Sequence, residues 1–405
     1  MKPIVRAGRM KPVHSDIRGP LFVEAMKRQK QGIDILKLNT GNPATFGFGL
    51  PDSIKNALME HMQDGVGYCD FKGIPQARQA ICDYETSKGI KGITSDDVFI
   101  GNGVSEVVSF ALTPLLNDGD EVLVPSPSYS LWGNSIYLEG GKPVFYTCDE
   151  KANWYPDIKD IRSKITDKTK AIVIINPNNP TGVLYPKELL LEIIQIAREF
   201  GLLIFADEIY DRLVMDGKQH ISLASLTEDV PVITLNGLSK SHCLCGYRCG
   251  WMVISGPREL TEDYRQGIIQ LTSLRLCANT MAQIVIPAAL DDMETPASMV
   301  RPGGRIYEQR EATVRELEKI DGLSFVKNDA AFYVFPKLDV KKFNITNDKQ
   351  FAHDLLDATN ILLVPGSGFD WKDPDHFRIV MLPQADILSD AIRRMGTFLD
   401  GYKQK

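Results

Sequence analysis

Apolar residues along this chain follow two alternating rhythms. Short runs rich in β-branched and aromatic residues read as strands: "DVFI" (97–100), "EVLVP" (121–125), "PVFYT" (143–147), "AIVII" (171–175), "LLIFA" (202–206), "VITL" (232–235) and "GWMVIS" (250–255). Between them, "GVSEVVSFALTPLL" (103–116) and "KELLLEIIQIAREFG" (187–201) repeat apolar residues at three-and-four spacing, and the second closes on a glycine suited to a helix C-cap. Strands alternating with helices predict an α/β fold whose seven-stranded sheet is mainly parallel. The rhythm changes after about residue 290, where "RIYEQREATVRELEKI" (305–320) is a long charged helix and "AAFYVFPKL" (330–338) and "FRIVML" (377–382) predict strands of a second sheet. Three segments are expected: an N-terminal arm and small-domain segment over 1–45, punctuated by Pro and Gly, a large α/β domain over 46–295, and a small α+β domain over 296–405.

Composition narrows the functional classes. Of the 405 residues, 43% are hydrophobic and 24% charged, the ordinary globular range, in a chain long enough for more than one core. A net charge of −6 supplies no basic field for nucleic acid. No apolar run approaches the roughly 18–20 residues of a membrane span. The opening "MKPIVRAGRMKPVH" is basic with no apolar stretch behind it, which argues against a secretory signal. Seven cysteines, an odd number at 69, 82, 148, 243, 245, 249 and 277, are scattered through a chain too large to need a disulfide framework. Reduced thiols in a cytoplasmic protein are the expectation.

In an open parallel sheet, reactive groups collect beyond the carboxyl ends of the strands. Here "DVFI" leads into "GNGVSE", "EVLVP" into "SPSYSLW", "AIVII" into "NPNNPTG", "LLIFA" into "DEIYD" and "VITL" into "NGLSK". Five strand ends therefore deliver a glycine turn, an aromatic, an amide, a carboxylate with a tyrosine, and a lysine.

Each has a plain reading and a chemical one. The glycines of "GNGVSE" open a helix whose free N–H groups can hold a phosphate; a simple strand-to-helix turn capped by Ser105 and Glu106 uses the same residues. A dinucleotide-binding G-x-G-x-x-G is excluded, because Glu106 stands where the third glycine belongs and Asp120 precedes its strand instead of ending one. Asp207 after a buried strand is a helix N-cap or, if it faces a ligand, a carboxylate that needs a cationic partner such as a protonated pyridine nitrogen. Tyr210, three residues on, and Asn179 in its turn sequence could each donate to a phenolate oxygen; Tyr129 could stack on a flat ring or fill the core. Lys240 is an ordinary solvated cation unless half-burial makes its amine nucleophilic. Arg248, eight residues later, offers a bidentate grip on phosphate.

"NPNNPTG", "ADEIYD", "SK" and the arginine eight beyond the lysine resemble the pyridoxal-phosphate aminotransferases of fold type I, class I. With "LKLNTGNPATFGF", "GYCDFKG", "IGNGVSE", "GGRIYEQR" and "FRIV" added, the set is similar to the bacterial glutamate–pyruvate (alanine) aminotransferases, in register from about residue 16 to 403. The resemblance implies pyridoxal 5′-phosphate as cofactor, with Lys240 its covalent anchor and Asp207 the partner of its ring nitrogen. It sets Asn179 and Tyr210 at the ring hydroxyl, Tyr129 on the ring face, and Gly103, Val104 and Arg248 at the phosphate. Tyr68 would add a phosphate contact across a homodimer with shared active sites. Arg378 would hold the substrate α-carboxylate and Gly41 would touch it. The implied reaction is ping-pong transfer of an amino group between L-alanine and 2-oxoglutarate. Arg18, in an N-terminal segment expected to be mobile, is a candidate second carboxylate grip or a solvated arginine.

Two departures stand out. Gly237 occupies the position three before the lysine where members often carry a phosphate-binding hydroxyl, so Ser239 is a candidate to help instead. The loop "SHCLCGYRC" is rich in cysteine, but C-x-C-x₃-C with no second pair is not a zinc spacing, and small buried thiols pack as hydrophobes; no metal is expected. The rival functions are a carbon–sulfur β-lyase or an aminotransferase for another small or branched amino acid on the same cofactor. A transcription regulator would need a DNA-binding domain and basic patch that the sequence does not offer.

Overall fold

The computed structural model describes residues 2–405. Its main sheet contains β1 (Val98–Asn102), β2 (Glu121–Ser126), β3 (Lys142–Asp149), β4 (Tyr155–Pro156), β5 (Thr169–Ile175), β6 (Leu203–Asp207), β7 (Val232–Gly237) and β8 (Cys249–Ser255) in the order β1-β8-β7-β6-β5-β2-β3-β4. The five strands from β7 to β3 run parallel, whereas β8 is antiparallel to both β1 and β7. The seven strands expected from the pattern are all present, and the two-residue β4 extends one edge antiparallel to β3.

Apolar runs at the sheet centre follow from burial on both faces. In β5, Ile172 and Ile174 pack with helix Lys187–Phe200 on one side, while Ala171, Val173 and Ile175 pack with helix Val104–Leu112 on the other. No face is left for polar side chains, so the alternation that marks a half-buried strand is missing. Helix Lys187–Phe200 ends as expected, on Gly201 in the left-handed region with its N–H on the Ala197 carbonyl. The helix expected over 103–116 stops at Leu112, because Pro114 cannot continue it.

A second core gathers Leu38, Val334, Phe351, Ile361, Ile379, Leu388 and Met395. Helices Arg305–Leu317, Asp348–Thr359 and Ala385–Asp400 cover short strands there. The strand expected over 330–338 is two pieces, Tyr333–Val334 paired with Ile379–Val380 and Lys337–Leu338 paired with Leu323–Ser324. Pro336, which has no N–H for a ladder, stands between them. The N-terminal segment passes from one core to the other. Arg9 donates to the Leu138 carbonyl at 3.2 Å, Leu36–Lys37 pairs with Ile361–Leu362, and helix Pro20–Lys30 packs beside Leu356 and Leu362. No helix among the described residues is long and apolar enough to cross a membrane.

Trp154 joins the sheet edge to the C-terminal segment. It is fully buried, with Phe335, Trp371 and His376 edge-on at 5.6, 5.2 and 5.1 Å between ring centroids. Trp154→Ala should cost about 3–5 kcal/mol of unfolding free energy, measured by urea denaturation followed by circular dichroism.

Candidate active site

The cleft forms where the parallel strands end, and its first ingredient is a row of glycines. The register aligns Gly101 of β1, Gly250 of β8 and Gly237 of β7 side by side. A Cβ at Gly250 would lie 2.4 Å from the Val104 nitrogen, and one at Gly237 would lie 2.5 Å from the Cys249 carbonyl oxygen. The missing side chains let the first turn of the helix that starts at Val104 sit directly on the sheet. Gly103 before it has φ +84° and packs so closely on Arg248 that a Cβ would lie 2.3 Å from the guanidinium. The Val104 and Ser105 N–H groups have no acceptor among the described residues, and Arg248 is exposed with no carboxylate within 4 Å. Glu106 turns back to accept from the Asn102 N–H at 2.7 Å and from Arg275 at 2.5 Å, closing the turn on the side away from Arg248. A helix N-terminus facing an unpaired arginine is built for an anion. Ser239, buried two residues beyond Gly237, makes no side-chain hydrogen bond among the described residues.

Asp207 ends β6. It is buried, accepts from Trp132 Nε1 at 3.1 Å and from the Ile209 N–H at 3.4 Å, and has no cation within 4 Å among the described residues. Burial pushes its carboxyl up to about 6, with the Trp132 and Ile209 hydrogen bonds and the Lys240 ammonium acting in the opposite sense. A buried carboxylate in this setting lacks a cationic partner. Lys240, half-buried on the one-turn helix Leu238–Ser241 that directly follows β7, donates to the Gly41 carbonyl at 3.2 Å and lies 5.9 Å from the Phe332 ring. It too has no acidic partner within 4 Å among the described residues.

Arg378 closes the far side. The residue is 2% exposed, with its guanidinium between the rings of Tyr333 and Phe369, each 4.6 Å away. It donates to Asn179 Oδ1 at 3.0 Å and to the Asn39 carbonyl, while its Nε has no partner. Burial pulls it below its usual range, and the phenols of Tyr333, Tyr210 and Tyr129 offset part of that. Tyr210 shares a 2.9 Å hydrogen bond with Tyr333, and a Cβ on Gly41 would lie 2.4 Å from the Tyr333 hydroxyl. Gly41, Asn179, Tyr129, Tyr210, Asp207, Lys240 and Arg378 therefore border one space. The Gly103–Val104 turn with Arg248 meets the same strand ends through Gly250, the partner of Gly237, and Ser239 directly precedes Lys240. Together they fit a flat, phosphorylated ring with a cationic nitrogen beside an organic carboxylate.

Two further residues named from the sequence stand apart in the single chain. Tyr68 is 85% exposed. Arg18 is exposed and unpaired, but its neighbour Ile17 accepts from Asn39 Nδ2 at 2.9 Å, and the Asn39 carbonyl is the one Arg378 uses. Sequence reasoning missed Trp132, Tyr333, Phe369 and Asn39. Trp132 lies three residues after Tyr129 in "SPSYSLW", a spacing that could have flagged it; the others look like core or loop until the chain folds.

The thiols beside Lys240 turn to separate neighbours. Cys245 donates to Asn42 Oδ1 at 3.1 Å, Cys243 lies 3.9 Å from the Met299 sulfur, and Cys249 is buried in β8. Burial pushes both the Cys243 and Cys249 thiols up to about 12. Glu208, Asp211 and His220 bring ligand atoms within 4.8 Å of one another. The Lys88 ammonium already stands among them, 2.7 Å from Glu208 and 3.1 Å from Asp211.

Residues 33–392 match a family model described as aminotransferase class I and II. The chain is 50% identical to the glutamate-pyruvate aminotransferase AlaA of Haemophilus influenzae over 404 residues, covering 100% of both. It superposes on a crystal structure of an aminotransferase from Escherichia coli with a TM-score of 0.98 at 47% identity, covering 100% of both chains. Against an alanine aminotransferase from Pyrococcus furiosus the TM-score is 0.92 at 40% identity, covering 98% of this chain and 100% of that one. These structures share the α/β fold of the type I aminotransferases.

The Asp207 carboxyl titrates near 6 when folded and near ~4 when unfolded. The stability from its neutral form is full below ~4 and is lost as the pH rises through 6. Ligand-free Asp207→Asn, always neutral, should gain on the parent by roughly 2–3 kcal/mol between pH 4 and 7.5. Urea unfolding at several pH values measures this; a pH-independent difference would contradict it.

Proposed function

The chain belongs to the class I and II aminotransferases, and from that premise we propose that it transfers the amino group between L-alanine and 2-oxoglutarate, giving pyruvate and L-glutamate, by a ping-pong mechanism with pyridoxal 5′-phosphate as cofactor. The observation that carries the reading is Arg378: a buried arginine with no carboxylate of its own, facing the same space as Lys240 and Asp207. Such a guanidinium is satisfied when a substrate carboxylate arrives.

In this reading Lys240 anchors the cofactor, Asp207 pairs with its ring nitrogen, and Asn179 and Tyr210 reach its hydroxyl. Tyr129 covers the ring, and Gly103, Val104, Ser239 and Arg248 hold the phosphate. When bound, pyridoxal phosphate supplies an aldehyde that accepts the amino group and an electron-poor ring that draws charge from the substrate Cα. Arg378 grips the α-carboxylate, with Asn179 and the Asn39 carbonyl fixing the guanidinium plane and Gly41 lying against the substrate. That grip holds Cα in one orientation. The Lys240 amine then removes the Cα proton. Tyr210, tied to Tyr333 through their hydroxyls, meets the site in a fixed position. Arg18 is assigned to the second carboxylate of glutamate and 2-oxoglutarate.

The exposure of Tyr68, with Met62 and Val66 also exposed beside it, supports a homodimer in which Tyr68 completes the phosphate site of the other subunit. We assign the protein to the cytoplasm and divide it into the arm 1–45, the large domain 46–295 and the small domain 296–405.

Purified protein should be yellow. Alanine alone should bleach that band and release pyruvate in proportion to active sites, without ammonia; ammonia release would point to a lyase, and no product would refute alanine as donor. Arg378→Lys keeps the charge but loses the planar fork and should lower kcat/KM for alanine about 10²-fold, with the yellow band retained.

A further inference from the structure

The segment before helix Pro20–Lys30 is fastened to the cleft at several points. His14 Nε2 lies 3.1 Å from Asp370 Oδ1, and its Nδ1 lies 3.6 Å from Asp16 Oδ2. The His14 N–H donates to Asn134 Oδ1 at 3.1 Å, and its carbonyl accepts from Asn134 Nδ2 at 2.6 Å. Asp16 packs over Gly368, where a Cβ would lie 2.8 Å from its own Cβ, and pairs with Lys349 at 3.1 Å. Ile17 is held by Asn39. Asp370 is 14% exposed, has His14 as its one cation within 4 Å among the described residues, and leaves Oδ2 unpartnered.

Both fastenings lead to Arg378. Phe369, beside Asp370, forms one wall of its aromatic sandwich, and Asn39 supplies its carbonyl acceptor. Arg18 is the next residue after this fastened stretch, an exposed cation with no acid of its own. Alanine presents one carboxylate and Arg378 takes it. Glutamate and 2-oxoglutarate present a second, which needs another cation at the mouth.

We propose that His14 is a positioning residue whose imidazole clasps residues 14–18 onto the cleft wall and so sets where Arg18 meets the second carboxylate of a dicarboxylic substrate. The proposal rests on the aminotransferase reading above. The carboxylates of Asp16 and Asp370 raise the imidazole to about 9. Its ionic contribution is therefore full below the ordinary value near ~6.5 and is lost as the pH rises through 9. The facing groups are Asp16 on the same segment, Asp370 on the 366–370 turn, Lys349 on helix Asp348–Thr359, and Tyr137 with Asn134 on helix Leu131–Leu138. Burial and the Asp370 charge raise the Tyr137 phenol, which keeps it neutral across this range.

The test measures the two half-reactions separately, with alanine alone and with glutamate alone, on the cofactor-loaded wild type, H14L, the double variant H14L/D370N, and R18A. The double variant removes the clasp without leaving a bare buried carboxylate. The clasp predicts that H14L and H14L/D370N raise KM for glutamate about 5- to 10-fold while alanine stays within about 2-fold. R18A should follow the same pattern. Wild-type KM for glutamate should climb above pH 9, and that of H14L should not. Amide hydrogen exchange over 13–18 should rise severalfold in H14L at neutral pH. Equal losses for both substrates, or a loss cancelled in the double variant, would overturn the clasp in favour of the Asp370 charge. So would an effect of R18A without one of H14L. If the wild type ran neither half-reaction, the aminotransferase reading itself would fall.

Discussion

Arg378 is a full positive charge shut between two aromatic rings, with only an amide oxygen and a backbone carbonyl to receive its protons. Burying an ion costs several kcal/mol unless a counter-charge meets it, so the surrounding structure must hold this one in place without a salt bridge. It does so from several parts of the chain: Asn179 comes from the turn after β5, Tyr333, Phe369 and Arg378 from the C-terminal segment, and Asn39 from the N-terminal segment. The placement of the C-terminal segment against the main sheet is therefore what builds this pocket around Arg378, and Trp154 with its aromatic neighbours fastens that placement at the sheet edge.

The same logic separates the cleft from the rest of the interior. Elsewhere most buried charges meet an opposite one, and buried Asp348 accepts instead from the Ser367 N–H at 2.7 Å and hydroxyl at 3.0 Å. Lys88 sits between Glu85, Glu208 and Asp211 at 2.8, 2.7 and 3.1 Å, Arg310 meets Asp216 at 2.6 Å, and Arg265 meets Asp97 at 2.5 Å. In the cleft, Asp207, Lys240, Arg248 and Arg378 have no opposite charge within 4 Å among the described residues. The deficits alternate in kind, an anion that needs a cation and cations that need anions. A ligand carrying a cationic ring nitrogen, a phosphate and a carboxylate would meet all of them together.

Backbone geometry explains why the lysine loop has its composition. The row Gly101, Gly250 and Gly237 leaves no room for side chains where the end of the helix that starts at Val104 meets the sheet. A hydroxyl residue at 237 would bring a Cβ onto the Cys249 carbonyl, so glycine there is a packing requirement of this chain, and the loop beyond fills its space with small thiols. Burial leaves Cys243 and Cys249 protonated and poorly nucleophilic at neutral pH.

The order of strands and helices, and the arrival of "GNG", "NPNNPTG", "DEIYD" and "SK" at successive strand ends, were legible in the sequence, because period-two and three-and-four patterns report burial locally and parallel strands all end on one edge. Lys240, Asp207, Asn179 and Arg378 could be named on those grounds together with the family resemblance. Local signals also marked where helices stop, although Pro114 and Pro336 cut elements shorter than their apolar patterns suggested. Trp132 as the donor to Asp207, Tyr333 against Tyr210, the sandwich around Arg378 and the His14 clasp were decided only by the tertiary structure. The Trp132–Asp207, Tyr210–Tyr333 and His14–Asp370 contacts join residues 75 or more positions apart, and side chains so distant in sequence leave no periodic trace of their meeting.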